Sequence, residues 1–197
     1  MSLATGWGAL DLASEAGQEQ RGHRQGGGSD SLPTTPGLQT LLTMPSMSTG
    51  LTEIPESACE NLLIVSPWSP KRVESALRDR DVPLQGCGLI PISGSPIRYD
   101  GPLWTTDAVA PSDLTGLSMR YCEAMRHVEP GEGWVLIDNA QVLLMYADTD
   151  RVTRLLRKLA GQAKERDVTG VLAVDRGAAQ IETLGQLSNP VDNVVER

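Results

Sequence analysis

The sequence predicts an α/β fold: a mainly parallel central sheet flanked by helices. Three observations carry this. Short continuous apolar runs, the signature of strands buried on both faces, alternate with stretches of helical periodicity. The segments between the runs are long enough for crossovers, which parallel neighbours require. Apolar residues make up 40% of the 197 residues, enough for one ordinary core. No apolar run approaches the roughly 20 residues that span a bilayer.

The elements follow in chain order. Residues 1–36 carry Gly26-Gly27-Gly28, Pro33 and Pro36 among Ser, Thr and Gln, with no sustained apolar period. They are expected to be a flexible low-complexity tail, because such a stretch does not offset the entropy of ordering. Residues 37–58 are expected to be a linker in which the apolar island 38–44 forms a short strand or a helical turn. Residues 59–197 are the α/β domain. Its first strand is Leu62-Leu63-Ile64-Val65, and Ser69-Pro70, an N-cap and N1 pair, opens a helix through about Arg80. Residues 88–92 form a second strand, with Pro91 placing it near an edge or ending it. Tyr99-Asp100-Gly101-Pro102 signals a turn within a small hairpin over 97–105. Ser112 is the expected cap of a helix carrying Leu114, Leu117, Tyr121 and Met125 at helical spacing, broken by Pro130 and Gly131. Trp134-Val135-Leu136-Ile137 is the third strand. Val152, Leu155, Leu156, Leu159, Ala160 and Ala163 then paint one face of a long helix capped by Asp148 or Thr149. Residues 170–174 are the fourth strand, a helix follows over about 180–187, and residues 191–195 are the closing strand.

Composition excludes several kinds of function. The three cysteines are odd in number and form no CxxC, and the two histidines are not at ligand spacing to them. Neither a disulfide framework nor a metal site is expected. The start lacks the basic and apolar regions of a secretion signal, so a cytoplasmic protein with no membrane contact is expected. The 17 basic residues comprise 14 Arg and 3 Lys, against 13 Asp and 12 Glu, for a net charge of −8. Such a surface stays hydrated and self-repelling, as in adaptation to high salt, with an acidic mesophilic chain as the alternative. It also disfavours bulk affinity for nucleic acid, which rests on neutralising phosphates.

The run 134–138, then Gln141-Val142-Leu143-Leu144-Met145-Tyr146, the long helix and Thr169-Gly170-Val171-Leu172 resemble the C-terminal half of KaiC-like members of the RecA superfamily. Together with Ser69-Pro70 after the first strand, the arrangement resembles proteins of halophilic archaea. The resemblance implies that Asp138 matches the Walker B aspartate. It also implies a central strand, ahead of the phosphate loop, between the strand that follows the Asp138 helix and the neighbours of the closing strand. No GxxxxGK[ST] occurs, and Ser66-Pro67-Trp68 stands where ATP-hydrolysing members carry carboxylates. The expectation is a truncated RecA-like core without a phosphate loop. Its central gap would be closed by a changed strand order, by residues 38–44 as a substitute strand, or by another chain, because unpaired buried backbone groups cost on the order of 1–3 kcal/mol each.

Three groups of side chains are candidates for a site. Asp138 is the Walker B-like candidate, read alternatively as a strand-ending aspartate bonded to nearby backbone N–H groups. Ser66, Ser69, Lys71 and Arg72 lie beyond a strand end at a helix N-terminus, where anions bind in open sheets. Arg151, Arg154, Arg157 and Lys158 make a basic face on the long helix, an interaction surface or a solubilising one. Neither a cofactor nor a metal is expected. The leading expectation is a non-catalytic module that acts in regulation or signalling by binding a protein partner or a second copy of itself. The alternatives are a divergent nucleotide- or anion-binding enzyme using residues 66–72 and Asp138, and a DNA-associated regulator using residues 151–166.

Overall fold

The computed structural model describes residues 31–177 and 181–197. Seven strands form one sheet: β1 (Gln39–Met44), β2 (Leu62–Ser66), β3 (Cys87–Pro91), β4 (Trp104–Thr105), β5 (Trp134–Ile137), β6 (Thr169–Asp175) and β7 (Asn193–Glu196). They lie in the order β4-β3-β2-β5-β6-β1-β7, and every pair is parallel. The helices are α1 (Pro70–Arg78), α2 (Leu114–Ala124), α3 (Gln141–Leu144), α4 (Thr149–Lys164) and α5 (Ile181–Leu187). The α/β class read from the alternation of apolar runs and helical periods therefore holds. Among the described residues no helix is long and apolar enough to cross a membrane.

The alternation of side chains along each strand builds two cores, one on each face of the sheet. Leu41, Leu63, Val65, Val135, Ile137, Leu172 and Val174 pack under α2 and α4, against Leu117, Tyr121, Leu156 and Leu159. Leu42, Met44, Leu62, Ile64, Leu136, Val171 and Ala173 face the other way, onto Val73 and Leu77 of α1 and onto Leu51 and Ile54. The continuous apolar runs of the inner strands follow from this arrangement, because both of their faces are covered.

Residues 38–44 hold the largest departure from the expected core. The strand they form, β1, lies between β6 and β7, with Leu41 opposite both Leu172 and Val194. It takes the place beside the strand after the Asp138 helix that the resemblance gives the strand ahead of the phosphate loop, but its other neighbour is the closing strand itself. The sheet therefore has no central gap, and of the three closures the substitute strand is the one observed. The tail expected over 1–36 falls for residues 1–30 outside the described residues. Residues 31–36 are built into the domain: Leu32 is buried in the second core, and the Thr35 carbonyl accepts bonds from Leu38 N–H and the Thr169 hydroxyl.

Two smaller expectations are corrected. No hairpin forms at 97–105: Trp104 and Thr105 pair parallel to β3, while Tyr99 folds back to donate its hydroxyl to Glu74 on α1 at 2.8 Å. The cap of α2 is Asp113 rather than Ser112, its carboxylate accepting the Gly116 N–H at 2.8 Å. Asp148 occupies the N-cap of α4 without a side-chain bond.

Candidate functional site

All seven strands point the same way, so their C-terminal ends gather along one edge of the sheet, where ligands bind in open α/β folds. Asp138 follows β5 directly. Its backbone N–H extends the ladder by donating to the Val65 carbonyl at 2.8 Å, and Ala140 N–H donates to Ala173 at 3.0 Å. These bonds fix the carboxylate between the loops that follow β1 and β2. It is 1% exposed.

Three donors converge on that carboxylate. Gly50 N–H donates to Oδ1 at 2.8 Å, and the Thr49 and Ser66 hydroxyls each donate to Oδ2 at 3.0 Å. Both hydroxyls are themselves acceptors: Thr49 takes the Leu51 N–H at 3.2 Å, and Ser66 takes the Trp68 N–H at 3.2 Å. A buried carboxylate needs such a set of donors to replace its hydration. The loop after β1 is thus tied down at its far end, where a 3₁₀ turn over Gly50–Thr52 starts. Gly50 is packed tightly there, since a Cβ would meet Ala173 Cβ at 2.7 Å and Leu136 Cδ1 at 2.9 Å. Further along, the Arg80 guanidinium donates to the carbonyls of Leu51 and Ile54, and Arg197 pairs with Glu53. At its near end, Ser46 donates to Asp175 at 2.9 Å.

The structure brings Asp138 and Ser66 together and leaves the rest of the expected anion site apart from them. Ser69 precedes α1 without a side-chain capping bond and is exposed, as are Lys71 and Arg72. Arg72 lays its guanidinium over the Trp68 ring, 3.5 Å from the centroid, a cation–π contact. The basic face of α4 belongs to the opposite side of the sheet from α1. There Lys158 donates to the Ser118 hydroxyl at 2.9 Å, while Arg151, Arg154 and Arg157 are exposed. Thr49 and Gly50 are the site residues that sequence reading did not single out. Their signal was a Thr-Gly pair shortly after an apolar run, too common to stand out until β1 is recognised as an interior strand. Among the described residues, no three His, Cys, Asp or Glu side chains are grouped to hold a metal ion.

The fold is similar to that of solved KaiC-like structures. The KaiC-like protein PH0186 from the hyperthermophilic archaeon Pyrococcus horikoshii OT3 is 12% identical, with a TM-score of 0.55 over 82% of this chain and 71% of that one. A second protein of that organism, PH0250, is also 12% identical, with a TM-score of 0.56 over 82% of each chain. The chain belongs to the DUF7504 family, described as a family of unknown function, whose model matches residues 41–197. No curated protein matches the sequence.

Proposed function

We propose that this protein is a non-catalytic KaiC-like module, degenerate in its nucleotide site, that acts by binding another protein. One observation carries the reading: the Walker B-like carboxylate of Asp138 is spent on the loop that would otherwise hold a phosphate. Set against GxxxxGK[ST], residues 45–52 keep the second glycine as Gly50 and the hydroxyl as Thr52, but have Pro45 for the first glycine and buried Leu51 for the lysine. A phosphate loop offers a fan of free backbone N–H groups at the start of a long helix. Here the Gly50 N–H already has an anion, the Asp138 carboxylate, and only a three-residue 3₁₀ turn follows.

These residues do not fit a magnesium–nucleotide complex. Such a metal is held jointly by a protein carboxylate with an accessible oxygen and by substrate phosphate. Both oxygens of Asp138 are buried and engaged, and Ser66 stands at the end of β2, where the resemblance places a water-activating carboxylate. Scarce lysine and a net charge of −8 support a setting of high ionic strength, in which the acidic surface keeps the module hydrated.

Calorimetric titration of the full chain with MgATP and MgADP tests this reading. The expected result is no saturable heat up to about 1 mM nucleotide, that is, binding weaker than about −4 kcal/mol. Micromolar binding, or ATP turnover that Asp138→Asn abolishes, would overturn it.

A further inference from the structure

On the face of the sheet away from α1, the helices α2 and α4 border a shallow, open groove of about 350 Å³. Its floor is the buried Leu114 and Leu155, 8% and 7% exposed, and its one accessible apolar side chain is Met119, 60% exposed to solvent. Its charged rim is Arg151, Arg154 and Lys158. The rim positions on α4 repeat at i, i+3 and i+7, so the charges line roughly 10 Å of helix at 1.5 Å per residue.

The cations in this chain of net −8 are poorly compensated. Six ion pairs occur among the described residues, and none involves Arg151, Arg154, Arg157 or Lys158. The polar contacts of this group are weaker ones: Arg154 Nε donates to the Asp150 carbonyl at 3.3 Å and Lys158 to the Ser118 hydroxyl at 2.9 Å. The next cation along the helix, Lys164, is paired with Asp192 at 2.6 Å. An exposed methionine therefore stands beside cations that lack ion-pair partners, and methionine is a side chain that adapts readily to an apolar guest.

We propose that the groove between α2 and α4 receives an acidic amphipathic helix of a partner protein. The inference rests on the reading of this chain as a protein-binding module and names its surface and partner class. A helix fits because the groove is bordered by side chains of two helices and its basic rim is about two turns long, so that an apolar stripe at i, i+3 or i+4, and i+7 lies along Met119 above the buried Leu114 and Leu155. Carboxylates on the flanks of that helix would meet the three rim cations, in bidentate pairs where the cation is arginine. Nucleic acid matches the surface less well. The groove has no aromatic ring to stack on a base, and a duplex extends past the short basic rim into the field of an acidic protein.

Fluorescence anisotropy on the full chain tests the proposal. The probe is a labelled 18-residue helical peptide with leucines at that spacing and flanking glutamates. Controls replace the glutamates with lysine or the leucines with glutamine. The expected result is saturable binding that Arg151→Glu/Arg154→Glu weakens at least tenfold, that Met119→Glu also weakens, and that neither control peptide reproduces. All three substituted side chains are exposed, so circular dichroism should stay unchanged and each variant should still unfold cooperatively. Equal binding of the glutamine control, or equal competition by a 20-base-pair duplex, would reduce the surface to a general polyanion patch and overturn the proposal. So would the absence of peptide binding, or binding indifferent to the substitutions. Self-association lost in the double variant would assign the groove to a second copy, and also overturns it. Nucleotide binding, measured separately by calorimetry, overturns the module reading. Peptide failure without nucleotide binding removes only the groove.

Discussion

Asp138 gathers three hydrogen-bond donors on one buried carboxylate, so its removal is felt in two loops at once. Asp138→Ala leaves the Gly50 N–H and the hydroxyls of Thr49 and Ser66 without their acceptor inside the protein. At about 1–3 kcal/mol for each unsatisfied buried group, partly relieved by entering water, the expected loss is on the order of 3–5 kcal/mol. Urea denaturation measures it directly. A loss below about 1 kcal/mol would show that the carboxylate is not what holds the loop. Asp138 itself was legible in the sequence as a polar residue ending an apolar run. Its partner Ser66 was legible too, as the polar end of another apolar run, but Thr49 and Gly50 were not, because they lie 89 and 88 positions away along the chain.

At the scale of elements, β1 is the decisive piece. It pairs on both sides, with β6 over six residue positions and with β7 over four, and buries all six of its residues. The described core contacts of the N-terminal region begin at Leu32. Residues 1–30 read from their composition as a low-complexity tail, so a chain beginning at residue 31 should melt within a few degrees of the full chain. A chain beginning at Pro45 should lose cooperative unfolding or aggregate, since it exposes the interior edges of β6 and β7. Thermal melts followed by circular dichroism, with light scattering, distinguish the two. A stable monomer from residue 45 onward would show that the sheet closes without β1. The strands β2, β5 and β6 and the helix α4 were readable from their patterns, because both strand faces are covered and one helix face is. β1 was harder to rank, since Gln39, Thr40 and Thr43 interrupt its apolar residues. The side chain of Gln39 is satisfied inside the fold, donating to the carbonyls of Gly37 and Val168 at 3.0 and 2.9 Å.

For the molecule as a whole, charge sets the response to salt. Exposed ion pairs contribute about 0–1 kcal/mol each and are screened easily, whereas the net charge of −8 repels itself over the entire surface. Raising KCl from about 0.1 M to about 1 M shortens the screening length from roughly 10 Å to 3 Å. The melting temperature is expected to rise over that range, as calorimetry would record. A fall would mean that the surface ion pairs outweigh the repulsion. The sequence by itself determined the α/β class, the long amphipathic helix, the position of Asp138 and the sign of the charge, all of which are written in neighbouring residues or in simple sums. Tertiary structure alone decided that residues 39–44 stand between β6 and β7, and that the loop after them closes on Asp138. Parallel strands are joined by crossovers, so neighbours in the sheet are remote in the chain. Their order follows from which apolar faces can be covered together, which no local pattern records.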